Sequence, residues 1–359
     1  MRISSWVFRA PGEEMVLQER EALPAEGEVL VEVAGCGVCH TDLGFFYDGV
    51  PTRHPLPLTL GHEVSGVVVA CGKGAESWEG RQVVVPAVIP CGDCPACRAG
   101  RGSICPQQIF PGNDVHGGFA THLVVPSMGL CAVPDLGDPR INPASLALHE
   151  LSVIADAVST PYQAIHRSGL CAGDLAVFVG IGGVGGFGVQ IAKALGAHVV
   201  AIDVDENKLA RFVEYGADLC LNSAQMDFRE LKKAYRGFGK ECEVPTWRRF
   251  VFETSGTPGG QATAFGLLEH GSYLSVVGYT PKKVELRLSN LMALDAKAEG
   301  NWGCLPELYP PVLDLVLKRK IALQPFIETR PLGTINETFQ AVQEHKVESR
   351  VILVPEITS

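Results

Sequence analysis

The segment CGDCPACRAGRGSIC sets Cys91, Cys94, Cys97 and Cys105 in a C-x2-C-x2-C-x7-C pattern. Short thiol spacings with Gly and Pro between them let a backbone wrap one tetrahedral ion, and Zn2+ accepts four thiolates. The alternative, a disulfide knot, is disfavoured in a reducing compartment. A four-thiolate zinc has no open position, so it would fold a lobe and do no chemistry. Reactive groups must lie elsewhere. The stretches GVCHTD and GHE offer Cys39 and His62, one soft and one borderline ligand, in a Gly-rich region. Two ligands alone do not make a site, and a lone Cys or His more often belongs to a core.

A second constellation is GIGGVG, with Gly180, Gly182, Gly183, Val184 and Gly185. It follows the apolar run LAVFV and opens an Ala-rich helix, the context that makes a G-x-G-x-x-G pattern informative. Glycines there allow a tight turn and close approach of a pyrophosphate to a helix N-terminus. Asp203 closes the next apolar run and is placed to accept hydrogen bonds from an adenosine ribose. Its charge would repel a 2′-phosphate, so NAD is expected over NADP. Lys208 is a candidate ribose contact, though a solvated helix lysine reads almost as well.

The elements that must carry these groups fall into three stretches. Residues 1–160 are rich in Val, Gly and Pro, with short runs such as EVLVEVAGCG and RQVVVPAV that read as strands between turns. Residues 161–300 alternate strand and helix, the pattern of a doubly wound parallel sheet. Residues 301–359 hold a helix (PVLDLVLKRK) and a strand (SRVILVP), and are expected to return and complete the first domain. The expected fold class is therefore α/β.

The 359 residues are 46% hydrophobic and 19% charged, enough to bury a sizeable core. A net charge of −10 argues against nucleic acid as the main partner. No run of 18 or more apolar residues predicts a membrane span, and no signal peptide is read, so a cytoplasmic compartment is expected.

Taken together, GVCHTD, LGHEVSGVV, the four-cysteine lobe and GIGGVG followed by Asp203 occur in the order of a known family. The chain resembles the zinc-containing alcohol dehydrogenases of the medium-chain dehydrogenase/reductase family over nearly its whole length. The resemblance implies a GroES-like catalytic domain, a Rossmann domain and an active site in the cleft between them. It implies NAD and two Zn2+ per chain, one catalytic and one structural. Cys39 and His62 become catalytic-zinc ligands, and Asp156 stands where many relatives have a cysteine. Glu63 is the alternative third ligand, or an exchanging one. Asp42 matches the carboxylate that orients the histidine, and Thr41 the hydroxyl that relays the proton. Thr160 and Val184 match positions at the nicotinamide, and His40 a position at the pyrophosphate. Gly44 stands where several relatives end the proton path with histidine, leaving water or His54 as candidate exits.

Relatives are homodimers or homotetramers, so a homo-oligomer is expected. For substrate, the whole chain resembles the 6-hydroxycyclohex-1-ene-1-carbonyl-CoA dehydrogenases, implying a cyclic secondary alcohol on a CoA thioester. Phe45, Phe46 and Tyr47 are candidates to line a pocket for the ring, against ordinary loop packing. Arg53, Arg98, Arg101, Lys282 and Lys283 are candidates for the CoA phosphates. A general secondary-alcohol or sugar-alcohol dehydrogenase, or an enone reductase, are the other readings.

Overall fold

A computed structural model of the chain describes residues 1–356. Two compact units emerge from it. One comprises Met1–Ser159, Gly303–Arg319 and the chain from Leu323 onward; the other comprises Thr160–Trp302 and Lys320–Ala322.

The first unit is built on an antiparallel sheet. Its central strand Glu28–Gly37 pairs with Glu63–Cys71 on one side and with Arg350–Val354 and His122–Pro126 on the other. Gln82–Val85 and Cys131–Ala132 extend the sheet beyond Glu63–Cys71, and Ile327–Pro331 adds a parallel edge to Arg350–Val354. A separate hairpin joins Arg2–Val7 to Val16–Glu21. Alternating Val and Leu side chains fill the core with Phe8, Phe46, Phe119 and Phe339. Phe45 and Phe46 belong to this core; the Phe46 ring stands edge-on to Tyr47 and Phe339, at 4.7 and 5.4 Å. The aromatic run after Leu43 thus serves packing, because the helix His40–Phe46 buries that face.

The second unit carries six strands paired entirely in parallel. Their order is Leu219–Asn222, His198–Asp203, Leu175–Val179, Arg249–Glu253, Tyr273–Val276 and Lys297–Gly300. Strand order reverses between Leu175–Val179 and Arg249–Glu253, which opens a crevice at their carboxyl ends. The segment after residue 300 does not return whole to the first unit. Lys320–Ala322 stays with the second, where Gln190 brackets Ala322 with two hydrogen bonds, of 2.7 and 3.3 Å. Among the described residues, no helix is long and apolar enough to cross a membrane.

Candidate active site and metal centres

Cys39, His62, Glu63 and Asp156 converge in the first unit from three separate segments, each offering one ligand atom within 4.8 Å of the others. Cys39 caps the helix His40–Phe46, and its backbone N–H donates to Asp42 Oδ2 at 2.9 Å. His62 enters the adjoining strand after Gly61, whose φ is +98°. A Cβ on Gly61 would meet Cys36 Sγ at 2.7 Å, so only glycine brings His62 in at this angle. Asp156 ends the 3-10 segment Leu148–Ala155 and is clasped on both sides. The buried Tyr309 hydroxyl donates to the Ala155 carbonyl at 2.5 Å, and Ala157 N–H donates to Glu63 Oε1 at 3.0 Å.

The spacings suit one ion. Asp156 Oδ2 lies 3.8 Å from Cys39 Sγ and 3.6 Å from His62 Nε2. His62 is 1% exposed, and Nδ1 faces Asp42 Oδ1 at 3.3 Å, yet neither ring nitrogen makes a well-formed hydrogen bond. A buried imidazole so placed, with a carboxylate at Nδ1 and Nε2 turned toward a thiol and a second carboxylate, fits a metal ligand with an orienting carboxylate. Electrostatics agree. Burial disfavours the imidazolium, but Asp42, Asp156 and Cys39 outweigh it and lift the His62 pKa well above 6.5. The pocket calls for positive charge.

Glu63 differs from the other three. Arg350, from the last strand, donates Nε–H to Glu63 Oε2 at 3.0 Å and Nη2–H to Oε1, with both side chains buried. Thr41 is half-buried, with Oγ1 3.7 Å from Cys39 Sγ. Phe110 covers the His62 ring edge-on, centroids 4.8 Å apart. His40 lies exposed on the same helix, and Gly44 lies two residues beyond Asp42. His54 sits beside His116, ring centroids 5.1 Å apart.

The four-cysteine lobe closes on itself. Cys94 Sγ is 3.5 Å from Cys97 Sγ and 3.7 Å from Cys105 Sγ, and Cys91 Sγ is 4.0 Å from Cys97 Sγ. Tetrahedral ligands at zinc–sulfur distances of about 2.3 Å would be about 3.8 Å apart. The Cys97 backbone N–H, above all, draws the Cys94 thiol down to about 7. No cysteine is in a disulfide among the described residues.

In the second unit, the glycine turn follows the buried strand Leu175–Val179 and opens the helix Gly185–Ala194. Gly180 has φ +88°, and a Cβ there would strike Ser255 Cα at 2.5 Å. Asp203 accepts the Ile181 N–H at 2.8 Å, so its charge is pinned beneath the turn. Val184 caps the helix, and Thr160 is buried on the helix Ser159–Ser168. Lys208 Nζ reaches Asp205 at 4.0 Å. Glu253, fully buried at the end of its strand, accepts N–H bonds from Ser255 and Gly256 and shapes the loop against Gly180.

Of the basic residues expected for CoA, Arg53 pairs with Asp114 at 3.3 Å. Arg98 and Arg101 lie exposed in the cysteine lobe, and Lys282 and Lys283 lie exposed in the second unit.

Comparison with known proteins matches residues 25–135 to the alcohol dehydrogenase GroES-like domain and residues 183–318 to the zinc-binding dehydrogenase family. An alcohol dehydrogenase of Geobacillus stearothermophilus is 31% identical over 331 residues, covering 91% of both chains. Galactitol 1-phosphate 5-dehydrogenase of Escherichia coli K12 is 28% identical, covering 92% of this chain and 93% of its own. The structure of acetophenone reductase from Geotrichum candidum, in complex with NAD, aligns at a TM-score of 0.82 and 26% identity. It covers 98% of this chain and 97% of its own.

Proposed function

The chain belongs to the zinc-containing alcohol dehydrogenase family, and on that premise we propose that it oxidises a secondary alcohol to the ketone with NAD at Cys39, His62 and Asp156. The observation that carries the reading is the convergence of a thiol, an imidazole and a carboxylate, sized for one ion, in a buried pocket. Bound zinc supplies the Lewis acidity that eases loss of a hydroxyl proton, and bound NAD supplies the hydride acceptor.

We assign Cys39, His62 and Asp156 as the ligands, since Glu63 is held by Arg350. Three protein ligands leave a position open for substrate, whereas Cys91, Cys94, Cys97 and Cys105 form a closed structural set. Asp42 fixes the His62 tautomer with the proton on Nδ1, leaving the Nε2 lone pair on the ligand side. Thr41 Oγ1 takes the substrate proton and passes it outward. Phe110 keeps water from the imidazole face. Gly180, Gly182, Gly183 and Gly185 would cradle the pyrophosphate, Asp203 would select NAD, and Thr160, Val184 and Lys208 would complete the cofactor's surroundings, while His40 is assigned to the pyrophosphate by the family resemblance alone.

Relatives named for oxidation at position 5 of a phosphorylated polyol and for reduction of acetophenone favour a secondary carbinol. Within that class, a cyclic alcohol on a CoA thioester rests on the sequence resemblance alone. A reducing, cytoplasmic setting suits twelve cysteines without disulfides, and a homodimer or homotetramer suits the family.

The test is NADH formation by zinc-loaded protein. Its substrates are simple secondary alcohols, polyol phosphates, and 6-hydroxycyclohex-1-ene-1-carbonyl-CoA beside its free acid. Turnover of secondary alcohols supports the reading. Equal turnover of the thioester and the free acid would remove CoA recognition, and no NADH from any of them would overturn the proposal.

A further inference from the structure

Asp156 leaves the 3-10 segment Leu148–Ala155 with φ −141° and ψ −57°, angles of neither helix nor strand. Val158 N–H closes the turn around it, on the Val153 carbonyl at 3.1 Å. An aspartate side chain has two torsions, the second of them loosely defined, so the place of Oδ2 depends on how firmly the flanking peptides are held. The Ala155 carbonyl, on the peptide before Asp156, accepts from three donors. They are the Tyr309 hydroxyl at 2.5 Å, Ser159 Oγ at 3.2 Å and Ala87 N–H at 3.4 Å. Ala87 N–H also reaches the Tyr309 oxygen at 3.2 Å, so the phenol is aligned by one bond while it gives the other. Tyr309 is 0% exposed and opens the helix Tyr309–Leu317, which packs against the 3-10 segment. The peptide after Asp156 gives its Ala157 N–H to Glu63, which Arg350 grips. Both flanks of Asp156 are thus tied, directly or through one carboxylate, to the part of the first unit that follows Gly303.

Of the three bonds to the Ala155 carbonyl, the one from tyrosine is the shortest. Ser159 lies four residues along the chain and moves with the same turn, so it anchors the turn to nothing else. Tyr309 lies 154 residues away, on a buried helix, and can anchor it. The geometry points to Tyr309 as a positioning residue for Asp156, its hydroxyl setting where the carboxylate meets the catalytic ion. This role rests on the proposed assignment of Asp156 as a ligand. Asp156 Oδ2 stands 3.8 Å from Cys39 Sγ and 3.6 Å from His62 Nε2, and a shift of about 0.5 Å would spoil a shared ion. Removing a group that holds a metal ligand in place costs about 10–100-fold in metal affinity or activity. Phenylalanine at 309 would leave the Ala155 carbonyl with Ser159 and Ala87, so no buried acceptor is orphaned. The loss then falls on placement more than on folding.

The experiment loads wild type, Tyr309→Phe, Ser159→Ala and Asp156→Ala with zinc and follows the release of each equivalent to a chelator. In Tyr309→Phe the first equivalent should bind at least about tenfold more weakly than in wild type. The second should leave as it does from wild type, which shows the four-thiolate lobe and the fold intact. With Co2+ in place of the first equivalent, the visible ligand-field absorption should shift, because one ligand oxygen has moved. Turnover should show a lower kcat with the KM for NAD unchanged. Ser159→Ala, which removes only a longer bond, should change the same readouts in the same direction and by less. A tyrosine with a purely structural role would lower the Tm and leave the first equivalent's affinity and the Co2+ spectrum as they are. Tyr309→Phe matching wild type in both overturns the positioning role, as does a larger change in Ser159→Ala than in Tyr309→Phe. Asp156→Ala separates this role from the ligand assignment beneath it. If that variant holds the first ion as wild type does, the assignment itself fails. If it loses the ion while Tyr309→Phe keeps it, only the role of Tyr309 fails.

Discussion

Replacing Arg350 with methionine would leave the Glu63 carboxylate, 0% exposed, without its counter-charge. Breaking a buried ion pair by removing one partner costs about 3–5 kcal/mol. The lower end is expected here, because Glu63 keeps the Ala157 N–H and a bound zinc offers a second positive charge nearby. For a unit of this size, about 3 kcal/mol corresponds to a Tm lowered by roughly 6–12 °C. The assay is thermal unfolding of zinc-loaded protein at one pH, followed by near-UV circular dichroism, for Arg350→Met, Glu63→Gln and the double variant. Removing the charge from both partners should restore much of the loss, with a coupling of about 2 kcal/mol. A single Arg350→Met variant within about 0.5 kcal/mol of wild type would refute the reasoning. So would a double variant that loses the sum of the two single losses.

Cysteine substitutions should separate the two metals. Cys94→Ser should purify with one zinc per chain and a lowered Tm, while its folded fraction still turns over; Cys39→Ser should fold normally and form no NADH. Metal analysis alongside melting checks both. Thr41→Val should lower kcat by about a hundredfold or more with NAD affinity unchanged, measured by steady-state kinetics and cofactor fluorescence; an unchanged kcat would remove the proton relay. Asp203→Ser should raise the NADP-to-NAD ratio of kcat/KM by at least about tenfold, because the charge pinned under the turn is lost. A constant ratio would show that Asp203 does not choose the cofactor.

Much of the fold was legible because its signals are local. The run LAVFV before GIGGVG, with Asp203 ending the following strand, specifies a strand–turn–helix–strand unit within about thirty residues. The cysteine lobe is equally local. What was hidden is long-range. Arg350 lies 287 residues from Glu63, and its one trace in the sequence is an arginine opening the apolar run VILV. Tyr309, which steadies the chain before Asp156, is 154 residues from Ala155 and has no signature at all. Phe110 likewise looks like any core aromatic until the fold lays it on His62. Phe45 and Phe46 suggested a pocket because they follow the relay residue, but helical periodicity turned them inward against Phe8 and Phe339.

Turnover as a function of zinc content tests the Cys39–His62–Asp156 assignment most directly. A three-ligand site with an open position should yield its metal to a chelator before the four-thiolate lobe does. NADH formation should therefore fall in step with the first equivalent of zinc lost, while the fold persists, and return when zinc is added back. Activity that survives loss of the first equivalent, and fails only with the second, would contradict the placement of chemistry at this cluster.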